Sequence, residues 1–254
     1  IGMQIERDGQ VMKLYYDFHI HSALSPCGDD DMTPNNIVNM SVLKGLDAIA
    51  VTDHNNAANC QACVALGRRN GIIVVPGMEV QTKEEVHVLC LFKTIEKVKS
   101  FEAELYKHFE WIPNSEELLG RQLIFDENDE LKGEEKRLLI HSVDLSIYAL
   151  VELAHSHEGL AIPAHIERKA FSLIANLGFL PPDLKVDALE LSKMTAHEKF
   201  TAKNPMYRNY RFISNSDAHY LHDISERENW LEVDEKNIES IFKTLGRSSK
   251  GGLK

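Results

Sequence analysis

Short apolar runs alternate along the chain with longer stretches of helical periodicity. The runs are rich in β-branched residues and predict strands at 13–18, 47–51, 72–76, 86–92, 160–163, 187–191 and 211–213, with 230–233 as a candidate eighth. The stretches between them predict helices at 34–44, 57–69, 95–108, 146–158, 170–177 and 236–245. Strands that alternate with helices are typical of a parallel β/α architecture, and seven or eight such strands predict a closed barrel.

Residues 109–145 break this alternation. They contain two charged clusters, at 126–130 and 132–137. We interpret them as an excursion from the barrel, which forms either a solvated loop or a lid. A chain of 254 residues can bury one large core, so we expect residues 1–254 to form a single domain.

The composition narrows the range of partners. The chain carries 28 Lys and Arg against 39 Asp and Glu, a net charge of −11, which makes extended nucleic acid and anionic membrane unfavourable partners. A small phosphorylated ligand stays compatible, because carboxylates gathered around metal ions count as negative although the loaded site is not. No apolar run approaches the ~20 residues of a membrane span, and the first residues are too polar for a signal peptide, so we expect a cytoplasmic protein. Its four cysteines, including the pair Cys60 and Cys63, are expected to be free thiols.

Histidines and carboxylates follow the predicted strands. The first strand ends at His19 and His21, which are two residues apart and therefore leave the same face of a strand. Later strands are followed by Asp53 and His54, by Glu79, by His165, and by Asp217 and His219. In a parallel β/α barrel the carboxyl ends of the strands share one edge, where active sites are built, so we expect these side chains to converge.

This donor set indicates metal chemistry. Histidine and carboxylate together at this density favour divalent ions of the zinc, iron or manganese type. The donors are too many for one tetrahedral ion, so two or three ions are expected. Glu79 is the simplest bridging ligand.

Five segments, in this order, resemble the successive motifs of the PHP (polymerase and histidinol phosphatase) family: 17–22 (DFHIHS), 51–54 (VTDH), 76–80 (PGMEV), 162–165 (IPAH) and 216–219 (SDAH). The resemblance implies an α/β fold, a distorted (β/α)7 TIM-like barrel, whose trinuclear metal centre hydrolyses phosphoesters. It also implies three sets of ligands: His19, His21, Glu79 and Asp217 for the first metal; Glu79, His165 and one further histidine for the second; His54, His219 and an acid or histidine after the first motif for the third.

Two positions in this ligand set are open. The residue after the first motif is Asp29, Asp30 or Asp31; we favour Asp29, because the phosphatase-like branch of the family often carries an acid four residues before the Thr-Pro that opens the first helix. For the second metal we choose His87, at the head of the fourth predicted strand. His155 and His157 imitate the first motif, but they fall in a helical stretch, where residues two apart diverge by roughly 200°.

The expected reaction is attack on phosphorus by a metal-bound hydroxide, with Glu79, Asp217 and His219 at its centre. Asp53 either orients a ligand or assists a proton transfer, and Arg168 and Lys193 are candidates for phosphate contact. No G-x-S-x-G elbow or G-x-x-x-x-G-K-[ST] loop is present, which disfavours serine hydrolases and P-loop enzymes. We therefore expect a phosphoesterase acting on a phosphomonoester or nucleotide. The alternatives are a nuclease for short or 3′-terminal nucleic acid and a metal-binding domain without catalysis.

Overall fold

A computed structural model describes residues 11–193 and 195–246, which form a mixed α/β fold. Its strands are β1 (Met12–Ile20), β2 (Ala48–Val51), β3 (Ile73–Gln81), β4 (His87–Leu91), β5 (Leu123–Phe125), β6 (Leu131–Glu134), β7 (Leu160–Pro163), β8 (Leu189–Ser192), β9 (Phe212–Asn215) and β10 (Trp230–Val233). Its α-helices are α1 (Pro34–Leu43), α2 (Cys60–Asn70), α3 (Ile95–Leu105), α4 (Glu116–Leu119), α5 (Ile147–Ser156), α6 (Leu173–Leu177), α7 (His197–Lys203) and α8 (Ile238–Leu245).

The predicted strands and helices are all present, most of them within three residues of their predicted ends. The start of α1 follows from its sequence, because the Thr33 side chain accepts a hydrogen bond from the Asn36 backbone N–H and Pro34 occupies the first turn. Ser146 caps α5 in the same way, through the Ala149 N–H. The sequence analysis did not predict the short elements α4, α7, β5 and β6. Among the described residues, no helix is long and apolar enough to cross a membrane.

The central sheet is curled and six-stranded, in the order β10-β1-β2-β3-β4-β7, and β8 and β9 form a separate parallel pair. Isolated backbone hydrogen bonds link the pair to the sheet on both sides. Asp187 N donates to Ala161 O (3.0 Å) beside β7, and His21 N donates to Ala218 O (2.9 Å) at the end of β1. The predicted closed (β/α)7 barrel is therefore confirmed only in part, since continuous ladders do not join β8 to β7 or β9 to β1 among the described residues.

The prediction of a parallel sheet is wrong for two strands. β4 runs antiparallel to both β3 and β7, and β10 runs antiparallel to β1. The connection from β3 to β4 is a short turn closed by a bond from Thr82 N to Val86 O (3.0 Å), and a parallel crossover needs a dozen residues or more. As a result, the first residue of β4 lies at the same edge as the last residues of β1, β2 and β3.

The inner face of the curled sheet is apolar at one end. Alternating residues of the strands, including Leu14, Tyr16 and Phe18 of β1, pack there with Val75 and Leu89 in a cluster of buried side chains. The opposite face of the sheet packs against the helices in a second cluster. Apolar packing therefore fills one end of the interior and leaves the other end to polar side chains.

The excursion at 109–145 folds against the barrel. It contains α4 and the hairpin β5–β6, and Leu123 N donates to Ala23 O (2.7 Å) in the loop after β1. Asn55 donates through Nδ2 to Leu139 O (2.7 Å), which holds the end of the excursion beside the loop after β2. The excursion thus has secondary structure of its own and is bonded to the edge where the predicted site residues lie.

Candidate metal centre

Strand alternation brings polar side chains to the open end of the interior. In β3, Glu79 shares a face with Val75, whose side chain belongs to the inner apolar cluster. In β4, His87 shares a face with Leu89 in the same way. Because β4 is antiparallel, its first residue stands at the edge where β3 ends, and His87 Nδ1 lies 2.9 Å from Glu79 Oε1.

A local irregularity directs the first motif into the site. Phe18 belongs to the inner cluster, so strict alternation would turn His19 outward. The register of β1 with β2 shifts between Asp17 and Ile20, and Ile20 packs in the outer cluster. This bulge-like shift sends both His19 and His21 to the inner face, a re-aiming that is common near active sites.

Two further site residues depart from extended geometry. His165 has a φ of 30° and Asp217 a φ of 54°, both in the left-handed region that non-glycine residues rarely occupy. Such conformations cost energy of the order of 1–3 kcal/mol each and cluster at functional sites. They turn both side chains from their strand ends toward Glu79.

Glu79 is the centre of the arrangement. Its carboxylate is 1% exposed and lies within 3.4 Å of ring nitrogens from five histidines. The distances are 3.3 Å to His19 Nε2, 3.4 Å to His21 Nε2, 3.1 Å to His54 Nδ1, 2.9 Å to His87 Nδ1 and 3.2 Å to His165 Nε2. One carboxylate cannot accept good hydrogen bonds from all five rings, so this donor set has the composition of a metal centre with Glu79 as a shared ligand.

Asp217 extends the centre on one side. Its Oδ1 lies 3.2 Å from Nε2 of His19 and 3.2 Å from Nε2 of His21. Those two ring nitrogens are only 3.2 Å apart. At this distance their lone pairs repel each other unless a proton or a cation lies between them. Three overlapping groups could each hold an ion: His19, His21 and Asp217; His54, Glu79 and His87; and His21, Cys27, His54 and His219.

The charges of Glu79, Asp217, His21 and His54 suit metal binding. Burial alone would raise the pKa of Glu79 and of Asp217, but nearby histidines, led by His87 around Glu79, hold both carboxyl pKa values well below their ordinary range. Burial lowers the pKa of His21 to about 4 and lowers the pKa of His54 well below its ordinary value. Ionised carboxylates and neutral imidazoles are the forms that coordinate metals.

Two unpaired ring nitrogens also fit a metal. His165 Nδ1 and His54 Nδ1 are buried and form no hydrogen bond, although such groups are nearly always paired in proteins; His54 Nδ1 has the Glu79 carboxylate 3.1 Å away, but not in hydrogen-bond geometry. The residues present therefore fit the divalent ions that the sequence predicts: they combine buried lone pairs, ionised carboxylates and a shared bridging position.

Glu190 is a supporting residue that the sequence analysis missed. Both of its carboxylate oxygens lie 3.1 Å from Nδ1 of His19, on the side of the ring opposite Glu79. Burial alone would lower the pKa of His19, but Glu190, together with Asp217 and Glu79, raises it well above its ordinary value. A charged residue within the apolar run 187–191 was the signal that could have identified it.

Asp53 holds the second histidine through Ser25 and also binds Ser22. It accepts hydrogen bonds from Ser22 Oγ (2.6 Å) and Ser25 Oγ (2.8 Å), and Ser25 Oγ lies 2.9 Å from His21 Nδ1. Asp53 is fully enclosed in this network and does not line the site cavity. Its position supports the orienting role of the two that the sequence left open.

A cavity of about 520 Å³ opens onto Glu79, and its mouth carries Arg168, Lys169 and Phe171. Arg168 Nη1 lies 2.5 Å from Asp217 Oδ2. The structure does not bring Lys193 to this cavity. Lys193 comes directly after Ser192, the last residue of β8. Its side chain lies on the face of the strand opposite to Glu190 and, together with Leu191, lines a different cavity.

Asp29 also stands apart from the centre. Its Oδ1 accepts a hydrogen bond from the Asp31 backbone N–H (2.9 Å), and it belongs to none of the three groups that could hold an ion. Cys27, two residues earlier, belongs to one of them. Of the two histidines that imitate the first motif, His155 points away from the centre and pairs with Asp187 Oδ2 (2.8 Å). Cys60 and Cys63 are buried free thiols.

Comparison with known proteins supports the family that the sequence motifs resemble. The family model of the PHP domain matches residues 17–175. The chain is 32% identical, over 80 residues, to a phosphoribosyl 1,2-cyclic phosphate 1,2-diphosphodiesterase from Eggerthella lenta, an alignment that covers 30% of this chain and 29% of that protein. The chain therefore spans less than a third of the length of this curated relative. Asp217 and His219 lie beyond the matched range but meet the other residues of the candidate centre in space.

Solved structures share the fold. A lesion-specific endonuclease Q from Pyrococcus furiosus aligns with a TM-score of 0.69 at 23% identity, over 92% of this chain and 56% of that one. Another endonuclease Q structure, which holds a 27-mer duplex with an abasic lesion at the active site, aligns with a TM-score of 0.70. A candidate metal-dependent phosphoesterase from Bifidobacterium adolescentis aligns with a TM-score of 0.61 at 15% identity, over 94% of this chain and 99% of that one. Identities this low show a common fold alone. One of these proteins, endonuclease Q, holds a nucleic acid duplex, a kind of partner that the acidic composition of this chain had disfavoured.

Proposed function

The chain belongs to the PHP domain family, and from that premise we propose that it is a metal-dependent phosphoesterase that hydrolyses a small phosphorylated substrate, a phosphomonoester or a nucleotide. The observation that carries the proposal is the single buried carboxylate of Glu79 within 3.4 Å of five histidine rings, at the base of an open cavity. A structural metal site is closed and has four ligands, whereas this donor set is larger and faces a cavity.

Three sets of residues would hold the ions. We assign His19, His21, Glu79 and Asp217 to the first, Glu79, His87 and His165 to the second, and His54 with His219 to the third. When bound, divalent ions supply Lewis acidity, which lowers the pKa of water and neutralises charge on phosphate oxygens. The ions would be zinc, iron or manganese, since histidine and carboxylate ligands suit these metals.

The protein's own residues define where a phosphate can enter. Glu190 and, through Ser25, Asp53 hold the rings of His19 and His21 at Nδ1, so that their Nε2 atoms face Glu79 and Asp217. Arg168 stands at its mouth with a guanidinium group that is 41% exposed and can contact a phosphate from the solvent side. Phe171 packs its ring against His87 at 5.0 Å and is 44% exposed, so it offers a flat apolar surface beside the ligands.

The matched pair Arg168→Met and Lys193→Met separates the two predicted phosphate contacts. Loss of one charge-assisted hydrogen bond is worth about 1.5–3 kcal/mol, so Arg168→Met should raise KM about 10-fold or more with little change in kcat. Lys193 lines another cavity, so Lys193→Met should leave KM at the wild-type value. Steady-state kinetics on the best small substrate measures both, and an effect at Lys193 without one at Arg168 would reverse the assignment.

The experiment that tests the function compares substrates on protein whose metal content has been measured. Purified protein should hold two or three divalent ions per chain and should release inorganic phosphate from a mononucleotide or a sugar phosphate. A long single-stranded oligonucleotide and a duplex, at equal phosphate concentration, should be cut poorly, because the described basic residues at the cavity mouth are confined to Arg168 and Lys169. Efficient internal cutting with the mononucleotide untouched would establish the nuclease instead, and no turnover with any metal would establish a binding domain.

A further inference from the structure

Cys27 occupies a loop that is held rigidly beside the metal centre. Gly28 N donates to Ser25 O (2.8 Å), which closes a turn around Cys27, and Asp29 N donates to His219 O (2.9 Å). The second bond ties the loop after β1 to the last histidine of the centre. The position of the thiol relative to His219 is therefore set by backbone hydrogen bonds on the C-terminal side of the cysteine.

Two glycines fix the same loop by close approach. A Cβ on Gly28 would lie 2.4 Å from Ser22 O, so this position next to Cys27 admits no side chain. Gly120, in the excursion, has a φ of +96°, which favours glycine. Its Cα packs against Pro26, and a Cβ there would lie 2.3 Å from the Pro26 carbonyl oxygen. The excursion thus clamps the residue that precedes Cys27.

The thiol of Cys27 belongs to a group of four residues that could hold a metal ion. Donor atoms of Cys27, His54, His219 and His21 all lie within 4.8 Å of one another. His21 is already committed, since its Nδ1 faces Ser25 and its Nε2 faces Asp217 and Glu79.

The remaining three residues face the same space. Cys27, His54 and His219 all line the 520 Å³ cavity. His54 is 6% exposed, and its Nδ1 forms no hydrogen bond. This nitrogen lies 3.1 Å from Glu79 Oε2 without hydrogen-bond geometry, and a buried imidazole so placed beside a thiol and a second imidazole has the surroundings of a cation ligand.

We propose that Cys27 is the thiolate ligand of one metal ion held also by His54 and His219, in the position where the sequence predicted an acid. The proposal deepens the proposed function and rests on it, because the ion belongs to the same centre. On binding, the thiol proton leaves to solvent as the sulfur–metal bond forms. Thiolate is a soft ligand, so this position should select zinc or cobalt over manganese.

Cobalt replacement tests the sulfur bond without any assay of activity. Protein stripped of metal and reloaded with Co²⁺ should show a near-ultraviolet sulfur-to-cobalt charge-transfer band. Cys27→Ser should lose the band and about one ion per chain, whereas Cys27→Asp should restore the ion without the band. Asp29→Asn should keep both. Loaded wild-type protein without the band, or Asp29→Asn that loses an ion while Cys27→Ser keeps it, would overturn the proposal.

Alkylation of the wild-type chain gives a second readout. Cys27 is exposed whereas Cys60, Cys63 and Cys90 are buried, so a maleimide should label Cys27 first in the metal-free protein, with the buried thiols as internal controls. Zinc loading should protect Cys27 at least 10-fold, and equal labelling with and without zinc would contradict the proposal. The two hypotheses fail separately: a cobalt band without phosphate release from any small substrate would refute the proposed phosphoesterase activity, and phosphate release without the band would refute the thiolate ligand.

Discussion

Glu79→Gln should abolish turnover and strip metal from a protein that stays folded. The substitution keeps the shape of the side chain but removes the negative charge that five histidine rings surround, so cations that share this ligand lose their bridge. Metal ions contribute several kcal/mol of charge stabilisation, which corresponds to a loss of kcat/KM of about 10³-fold or more. Metal analysis, phosphate release and circular dichroism on the same preparation measure the three effects.

Glu158→Gln is the matched control. Glu158 is exposed and pairs only with Lys97 on the surface among the contacts of the described residues, so metal content and rate should equal those of the wild-type protein. His155→Ala, on the outer face of α5, should also leave the metal content intact. Wild-type metal content and turnover in Glu79→Gln would rule out the bridging role and with it the proposed site.

The residues of the candidate metal centre could be located from the sequence because strand ends are readable in it. Apolar runs locate the strands, and the residues that follow them at period two, such as His19 and His21, share a face. What period two cannot reveal is which face. Phe18 points inward, and only the shift in register after Asp17 turns the two histidines inward as well. A shift of this kind depends on pairing with β2, which no local pattern encodes.

His87 was chosen for the second metal on a premise that the structure corrects. In an all-parallel barrel the head of a strand lies at the edge opposite to the site. His87 lies beside Glu79 because β4 turns back from β3 through a tight connection, and that topology depends on the short segment between them. Its position beside Glu79 is compatible with the predicted role at the second metal, but the parallel architecture assumed for its strand was wrong.

Loop residues were the hardest to assign. Asp29 was favoured over Asp30 and Asp31 by its spacing from Thr33, but a loop residue is placed by turns and not by periodicity. Here a turn closed by Ser25 and Gly28 brings the cysteine to the histidines, and the Asp29 carboxylate bonds to its own loop. Composition contains no information about such a turn, which explains why a thiol was overlooked beside three acids.

Glu190→Gln should weaken the metal centre through His19 without touching an ion. Its carboxylate lies 3.1 Å from His19 Nδ1, and Oε2 also accepts a bond from the backbone N–H of His165 at 3.3 Å. A carboxylate behind a ligating histidine fixes the ring and makes it more basic, and loss of such a partner typically costs about 10–100-fold in metal affinity. The amide of Gln can still accept the hydrogen bond, so orientation is largely kept while the charge is lost.

Chelator competition at fixed pH measures this affinity, and the rate is then compared at limiting and at saturating metal. We expect Glu190→Gln to lose about 10–100-fold in metal affinity and to recover most of its rate when metal is supplied in excess. Glu79→Gln should not recover, because a direct ligand is missing and no concentration of metal rebuilds the bridge. If excess metal rescues neither variant, Glu190 acts directly on the reaction. If the affinity of Glu190→Gln equals that of the wild-type protein, the carboxylate serves only to pack against His19, and its charge has no part in holding the centre together.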